Sequence, residues 1–300
     1  MFVWSKLTSE KWVEAWEERL MGPNSERAVI SRIPNRKSVR VDVYCDTKPE
    51  ADEILKHYGG TVRQLAPQNW AALGGEPPPV NVRGRLLICG IADSKKLSAL
   101  RAANGHLTII NIPPEMAFGT GHHATTSTVL RLMVDFADAR KEQPWSMLDL
   151  GAGSGLLAIA AEKLGASEIW GCDFDATAVD IARRNVELNQ ASSVTIDEAD
   201  VLKWKPDRRW DCVAANIFAD VLEAVLPKLA KAVKPDGVIL LSGILKDQAP
   251  ACLEAGEKVG FVFDPVVKKG KWVTAVGRLQ PKAVVASKKR AKASLQPVGD

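Results

Sequence analysis

With 300 residues, 46% of them hydrophobic and 25% charged, the chain is long enough to bury one large core or two modest ones and too apolar for a disordered polymer. Its formal net charge of +4 resides in residues 281–300, where Lys282, Lys288, Lys289, Arg290 and Lys292 face only Asp300, so the body before them is neutral. A neutral body disfavours direct nucleic-acid binding, no apolar run nears the roughly 20 residues of a membrane span, and five scattered cysteines lack the C-x-x-C spacing of a zinc or redox site.

The opening stretch MFVWSKLTSEKWVEAWEERL is broken by charges and has no signal-peptide pattern, so a cytoplasmic protein is expected. Residues 1–66 read as a small α+β domain. Trp12, Val13, Trp16 and Leu20 share one helical face, while Val39, Val41, Val43 and Cys45 alternate with polar residues as a half-buried strand does. Further strands are predicted over 2–7, 27–33 and 61–65, and a helix over 49–58 ended by Gly59 and Gly60. The resulting βαββαβ order predicts a ferredoxin-like sandwich, with or without a ligand of its own. Residues 67–85, which include Gly74, Gly75 and the run Pro77-Pro78-Pro79, are expected to form a semi-rigid linker.

The region 86–280 is then expected to form the larger domain. Strands are predicted over 86–91 and 107–112, followed by the unusual stretch PPEMAFGTGHHATT over 113–126. Its hydroxylated residues precede an amphipathic helix carrying Val129, Leu130, Met133 and Val134. Thr126 therefore reads either as part of a helix cap or as a ligand contact. His122 and His123 are adjacent, so they do not share a helix face, and no acid or thiol stands at ligand spacing nearby; no metal is expected.

The centre of the chain is MLDLGAGSGLLAIAAEKLGASEIWGCD, residues 147–173. A buried strand runs into Gly151, Gly153 and Gly155, a helix follows over 156–164, and a second strand ends on Asp173. An acid at that position is placed to accept hydrogen bonds from ribose hydroxyls. A dinucleotide fingerprint would need a third glycine at 156, where this chain has Leu156, which disfavours a nicotinamide-dependent oxidoreductase. The G-x-G-x-G pattern two residues after Asp149 resembles instead the first motif of class I S-adenosylmethionine (SAM) methyltransferases.

Alternation continues after Asp173. Helices are predicted over 176–188 and 220–233, and strands over 194–196, 210–215 and 237–241. In a doubly wound sheet, Gly151, Asp173, Asp200 and Asn216 then fall together at the strands' carboxyl ends. Segments 261–267 and 272–278, joined by KKGK, are predicted to form an antiparallel pair. Residues 281–300 are polar, basic and aperiodic, the pattern of a disordered tail.

Taken in order, PPEMAFGTGHHATT, LDLGAGSGLLAIAAEKLGA, GCDFDATAVDIARRN, AANIFADVL and LSGIL closely resemble the bacterial ribosomal protein L11 methyltransferase family, PrmA. The resemblance implies a seven-stranded, doubly wound class I SAM methyltransferase domain behind a substrate-recognition domain. It also implies SAM as cofactor and transfer of methyl groups to lysine side chains and the N-terminal α-amine of ribosomal protein L11, free or in the large ribosomal subunit. It places Thr126, Gly151, Asp173 and Asn216 on SAM, with Gly153 in the same turn, and lays Phe118, Gly119 and Thr120 over the cofactor. Asn216, Phe118 and Thr120 are the residues it puts nearest the chemistry. By analogy with class I methyltransferases generally, Asp200 belongs beside the adenine, although an acid there also suits a cap. Ile217, Phe218 and Ala219 follow Asn216 where Pro-Pro-aromatic would clamp a planar acceptor, so an aliphatic amine and no aromatic clamp are expected. A monomer is expected. The alternatives are SAM-dependent methylation of another protein, RNA or a small molecule, and a non-catalytic cofactor scaffold.

Overall fold

A computed structural model of the chain describes residues 2–13, 16, 28–32, 38–45, 47–64, 78–113, 119–141 and 143–280. It divides into two units, Met1–Leu73 and Gly74–Asp300. In the first unit, β1 (Phe2–Ser9), β2 (Ala28–Arg32), β3 (Ser38–Cys45) and β4 (Thr61–Gln64) form an antiparallel sheet in the order β2-β3-β1-β4, with α1 (Lys48–Tyr58) before the last strand. Val39, Val41, Val43 and Cys45 are fully buried, as their alternation predicts. Val41, Val43, Cys45 and Trp4 pack with Trp16, Ala51 and Ile54. Trp12 departs from the expected helical face: it ends a 3-10 turn, Glu10–Trp12, and is 49% exposed. Leu20 and the rest of that predicted helix beyond Trp16 lie outside the described residues.

The second unit begins with β5 (Val80–Val82), β6 (Leu86–Cys89), α2 (Ser94–Ala103) and β7 (Thr108–Asn111), whose strands form a small sheet in the order β5-β6-β7. The expected linker end is thereby corrected. Val80–Val82 pairs antiparallel with β6 across a turn at Arg83 and Gly84, both at positive φ. Residues 65–77 lie outside the described residues.

The main sheet is built by α3 (Ala124–Ala139), β8 (Trp145–Leu150), α4 (Leu156–Lys163), β9 (Ala166–Asp173), α5 (Ala176–Leu188), β10 (Val194–Glu198), β11 (Trp210–Asn216), α6 (Ala219–Ala232), β12 (Val233–Leu245), α7 (Ala249–Lys258), β13 (Phe261–Phe263), β14 (Val267–Lys269) and β15 (Trp272–Leu279). Strand order is β10-β9-β8-β11-β12-β15-β13, with β14 paired to β15. The strands from β10 to β12 are parallel and β15 is antiparallel to its neighbours. Every residue of β8 is buried because helices cover both faces. Side chains of α3, α4 and α5 form the core on one side, and those of α6 and α7 the core on the other. The chain adds β9 and β10 on one side of β8 and then returns to place β11 on the other, so the carboxyl ends of β8 and β11 border a crevice.

Helices at Ser94–Ala103 and Ala249–Lys258 were not among the expected elements, and the strand expected over 261–267 divides into the separate β13 and β14. Val233, expected to end a helix, opens β12 instead, through an irregular register with Trp210. The basic stretch 281–300 lies outside the described residues. Among the described residues, no helix is long and apolar enough to cross a membrane.

At the foot of the sheet, Asp211 ties four segments together. It is 3% exposed; Oδ2 accepts from Ser146 N at 2.9 Å, Ser146 Oγ at 2.8 Å and Lys234 Nζ at 2.8 Å, and Oδ1 from Arg140 Nη2 at 3.1 Å. Burial works to raise this carboxyl, but the hydrogen bonds from Lys234 and Ser146 outweigh it and hold the group below the usual aspartate range. Because the folded form holds its proton less tightly than the unfolded chain, the ionised group stabilises the fold above about pH 4 and loses that effect as pH falls further. Asp211→Ala is expected to cost about 3 kcal/mol in urea unfolding at pH 7, the scale of a buried ion network missing one partner. The gap to wild type should narrow below about pH 4; a gap independent of pH would deny the carboxylate this role.

Candidate active site

The crevice is shaped by the turn between β8 and α4. Gly151, Gly153 and Gly155 all have positive φ, and Gly151 N and Ala152 N donate to Cys172 O at 2.8 and 2.9 Å, anchoring the turn to the end of β9. There Asp173 is oriented from both sides: Gly153 N donates to Oδ2 at 2.9 Å and Asp175 N to Oδ1 at 3.1 Å. Each oxygen keeps further acceptor capacity, which is what a vicinal diol requires. Ser154 Oγ donates to Gly119 O at 3.0 Å, tying the glycine turn to the segment ahead of α3.

A cavity of about 910 Å³ runs across the strand ends. Asp173, Phe174, Glu198, Asp200 and Leu202 line one end, Gly151 and Gly153 the middle, and His123, Thr126, Asn216, Phe218 and Trp272 the other. Six residues expected at a cofactor site are thus together: Thr126, Gly151, Gly153, Asp173, Asp200 and Asn216. Thr120 is not among the lining residues, whereas its neighbour Gly119 is; Phe118 lies outside the described residues. Thr126 is 1% exposed and its hydroxyl accepts from Asn216 Nδ2 at 3.4 Å, so it faces the cavity rather than capping α3. The cap is His123, whose Nδ1 lies 2.8 Å from Thr125 Oγ1. Asp200 accepts from Leu202 N at 2.8 Å, as a turn cap does, and also lines the cavity. Lys228 Nζ braces that turn through Leu202 O at 2.6 Å.

Two aromatic residues missed in the sequence reading flank the opening. Phe174 is 78% exposed and Phe218 is 74% exposed. Each closely follows a polar strand-end residue, in Asp173-Phe174 and Asn216-Ile217-Phe218, and that adjacency was the available signal. No Pro-Pro-aromatic run follows Asn216, but Phe218 and Trp272 both border that end of the cavity. Trp272 also meets the His123 ring edge-on, with centroids 5.3 Å apart at 71°. His122, by contrast, points its Nε2 at Pro78 O, 3.0 Å away. Among the described residues, no group of three His, Cys, Asp or Glu side chains converges as a metal site would require.

Backbone space fixes Asn216. A Cβ on Gly151 would stand 2.4 Å from Ile217 Cγ2, and one on Gly243, at φ +83°, would stand 2.4 Å from Ile217 O. Ile217 is therefore wedged between the ends of β8 and β12. Asn216 presents a buried Oδ1 that has no hydrogen-bond partner among the described residues, an acceptor suited to an N–H donor. Asp149, one strand residue below the turn, is also fully buried with neither oxygen partnered. Burial, reinforced by the Asp173 charge and only partly opposed by the Ala158 amide, pushes its pKa up to about 8.

Two outcomes follow from these carboxyls. Asp173→Ala is expected to weaken binding of a nucleoside cofactor by about 1.5 to 3 kcal/mol, the value of hydrogen bonds to a charged group, in calorimetry; an unchanged dissociation constant in a folded variant would put the diol elsewhere. Asp149 keeps its proton in the fold while the unfolded chain loses it near pH 4, so its contribution is complete below about pH 4 and is lost as pH rises towards 8. Asp149→Asn should remove that component, gaining melting temperature relative to wild type from pH 5 to pH 8. A parallel pair of melting curves would contradict it.

The family model of the ribosomal protein L11 methyltransferases (PrmA) matches residues 7–280. Ribosomal protein L11 methyltransferase of Lactobacillus johnsonii is 39% identical over 165 residues, 55% of this chain and 51% of that protein. Its counterpart from Listeria monocytogenes serotype 4a is 33% identical over 252 residues, 80% of this chain and 77% of that protein. The match thus spans about half the length of the Lactobacillus relative, 51%, and 77% of the Listeria one. The crystal structure of ribosomal protein L11 methylase from Lactobacillus delbrueckii subsp. bulgaricus is similar with a TM-score of 0.57 at 27% identity, covering 68% of this chain and 100% of that one.

Proposed function

The chain belongs to the ribosomal protein L11 methyltransferase (PrmA) family, and from that premise we propose that it transfers methyl groups from SAM to amines of ribosomal protein L11. The acceptors are lysine side chains and the N-terminal α-amine, on the protein free or in the large ribosomal subunit, in the cytoplasm. The observation that carries the proposal is one cavity with an oriented diol acceptor, Asp173, at one end and the partnerless Asn216 Oδ1 at the other. A nucleoside with an amino-acid tail fits that donor and acceptor set.

When bound, SAM supplies an electrophilic methyl group on a cationic sulfur. Asp173 would accept from the ribose hydroxyls, the Gly151 and Gly153 backbone would give close approach, and Phe174, Leu202 and Asp200 would hold the adenine. Thr126 and Asn216 would lie towards the transferred group, and Thr120 is the candidate that the family resemblance adds there. Asn216 Oδ1 accepts an N–H of the acceptor amine and aims its lone pair. Among the described residues no carboxylate lines this end, and an amine that enters neutral does so at a cost of about 4.6 kcal/mol for lysine at pH 7 and about 1 kcal/mol for an α-amine. The order β2-β3-β1-β4 supports reading residues 1–66 as a ferredoxin-like substrate-recognition domain, joined by a Pro/Gly linker to the methyltransferase domain that follows.

Incubation of the chain with methyl-labelled SAM and a ribosomal extract, followed by mass spectrometry of the labelled bands, tests this directly. Label is expected on lysines and the α-amine of ribosomal protein L11. Label confined to RNA, to a small-molecule fraction or to glutamine side chains would overturn it.

A further inference from the structure

The glycine turn is held from α5 as well as from β9. Its Ser154–Gly155 peptide is gripped at both ends: Gly155 N donates to Ala152 O at 2.8 Å within the turn, and Ser154 O accepts from Asn185 Nδ2 at 2.9 Å. Asn185 belongs to α5, is 1% exposed and is not among the residues that line the cavity. One turn earlier on the same helix face, Ala182 closes on Gly155, where a Cβ would stand 3.1 Å from its own. The glycines on either side of Ser154 have φ of +53° and +78°, and glycine leaves such conformations at little steric cost. Ser154 is itself buried, lines the cavity and donates its hydroxyl to Gly119 O at 3.0 Å, so the orientation of this peptide is also felt by the segment ahead of α3. The helix is fastened separately. Asn189, which caps α5, donates from Nδ2 to Asn111 O and accepts Asn111 N on Oδ1, both at 2.8 Å, and so ties the helix end to β7.

We propose that Asn185 is a positioning residue for the cofactor: its side-chain amide clamps the Ser154–Gly155 peptide and so keeps the glycine turn in the conformation that accepts the nucleoside and its amino-acid tail. The inference rests on SAM binding in this cavity. A buried carbonyl deprived of its donor is costly, and with glycine on either side the peptide is free to rotate towards another partner. Gly153 N, which orients Asp173 Oδ2, belongs to the same turn and moves with it. When only a fraction of molecules hold the competent turn, the apparent dissociation constant rises by the inverse of that fraction. A molecule that has bound SAM has its turn restored, so the chemical step is unaffected. Asn189 supplies the contrast, because its hydrogen bonds to Asn111 secure the helix without gripping the turn.

The test compares the full chain with Asn185→Leu, which keeps the bulk and loses the donor, with Asn185→Ala, which loses both, and with Asn189→Ala. In either Asn185 variant, Kd for SAM by calorimetry and KM for SAM should rise about tenfold, while kcat at saturating SAM stays within about twofold of wild type and KM for the acceptor is unchanged. Hydrogen exchange of the Gly155 amide, followed by NMR, should quicken about tenfold in the free variants and return to wild-type protection when SAM saturates them. Asn189→Ala should lower the melting temperature and leave Kd for SAM within about twofold of wild type. A wild-type Kd in a folded Asn185 variant, a kcat that saturating SAM does not recover, or an Asn189→Ala variant that binds SAM as poorly as the Asn185 variants would overturn the proposal while leaving SAM binding intact. Failure of both Asn185 variants to fold would make the residue a requirement of folding and overturn it too. Failure of the wild type to bind SAM would remove both the proposal and the reading beneath it.

Discussion

Ile217 is the residue on which the site's construction turns. Its side chain and carbonyl fill the space where Gly151 and Gly243 lack a Cβ, each at 2.4 Å from where one would be. The two glycines come from different strand ends, so the wedge forms only once β8, β11 and β12 are in register. Asn216 immediately precedes Ile217, and its amide is therefore set by backbone packing rather than by a flexible loop. The same register brings Gly151 against Cys172 and so aligns the turn with Asp173. Both ends of the cavity thus inherit their geometry from one piece of close packing at the point where the strand order reverses.

Much of this was legible where local chemistry and global fold agree. Three glycines between a buried strand and an Ala-rich helix leave few alternatives, and Asp173 occupies its place because β9 ends there. The helices that escaped did so for identifiable reasons. Ser94–Ala103 buries no residue, so it carries no apolar stripe to read. Ala249–Lys258 begins near a proline and contains Gly256, which reads as loop; yet a Cβ there would stand 2.5 Å from the Phe263 ring, so glycine serves packing. Val80–Val82 was hidden by the prolines ahead of it and is only three residues long.

The site shows the same division. Polar residues at strand ends were found because alternation places them there. Phe174 and Phe218 were passed over because an exposed aromatic on a loop has no periodicity, and only the cavity shows what it borders. Asp149 was visible as the acid of the glycine motif, but its complete burial, and hence its proton affinity, comes from its place in the sheet between the strands that carry Cys172 and Cys212. Those thiols are pushed up by burial first and by Asp149 after it, so the group below the turn is a set of mutually repelling acids best kept protonated.

Under the proposed reaction, Asn216 also sets a limit on its own usefulness. A neutral primary amine has two N–H groups and a monomethylated one still has one, so Oδ1 can hold either with the lone pair turned to the methyl donor. A neutral dimethylated amine has none. Any third transfer must then proceed with Oδ1 unpartnered, at the cost of a lost hydrogen bond, and with the methyl groups packed against Phe218 and Trp272. These aromatic walls are indifferent to how many N–H groups remain. A site that relied on a tight polar cage would stop after the second methyl, whereas one that pairs a single amide oxygen with apolar walls loses one interaction and keeps the rest.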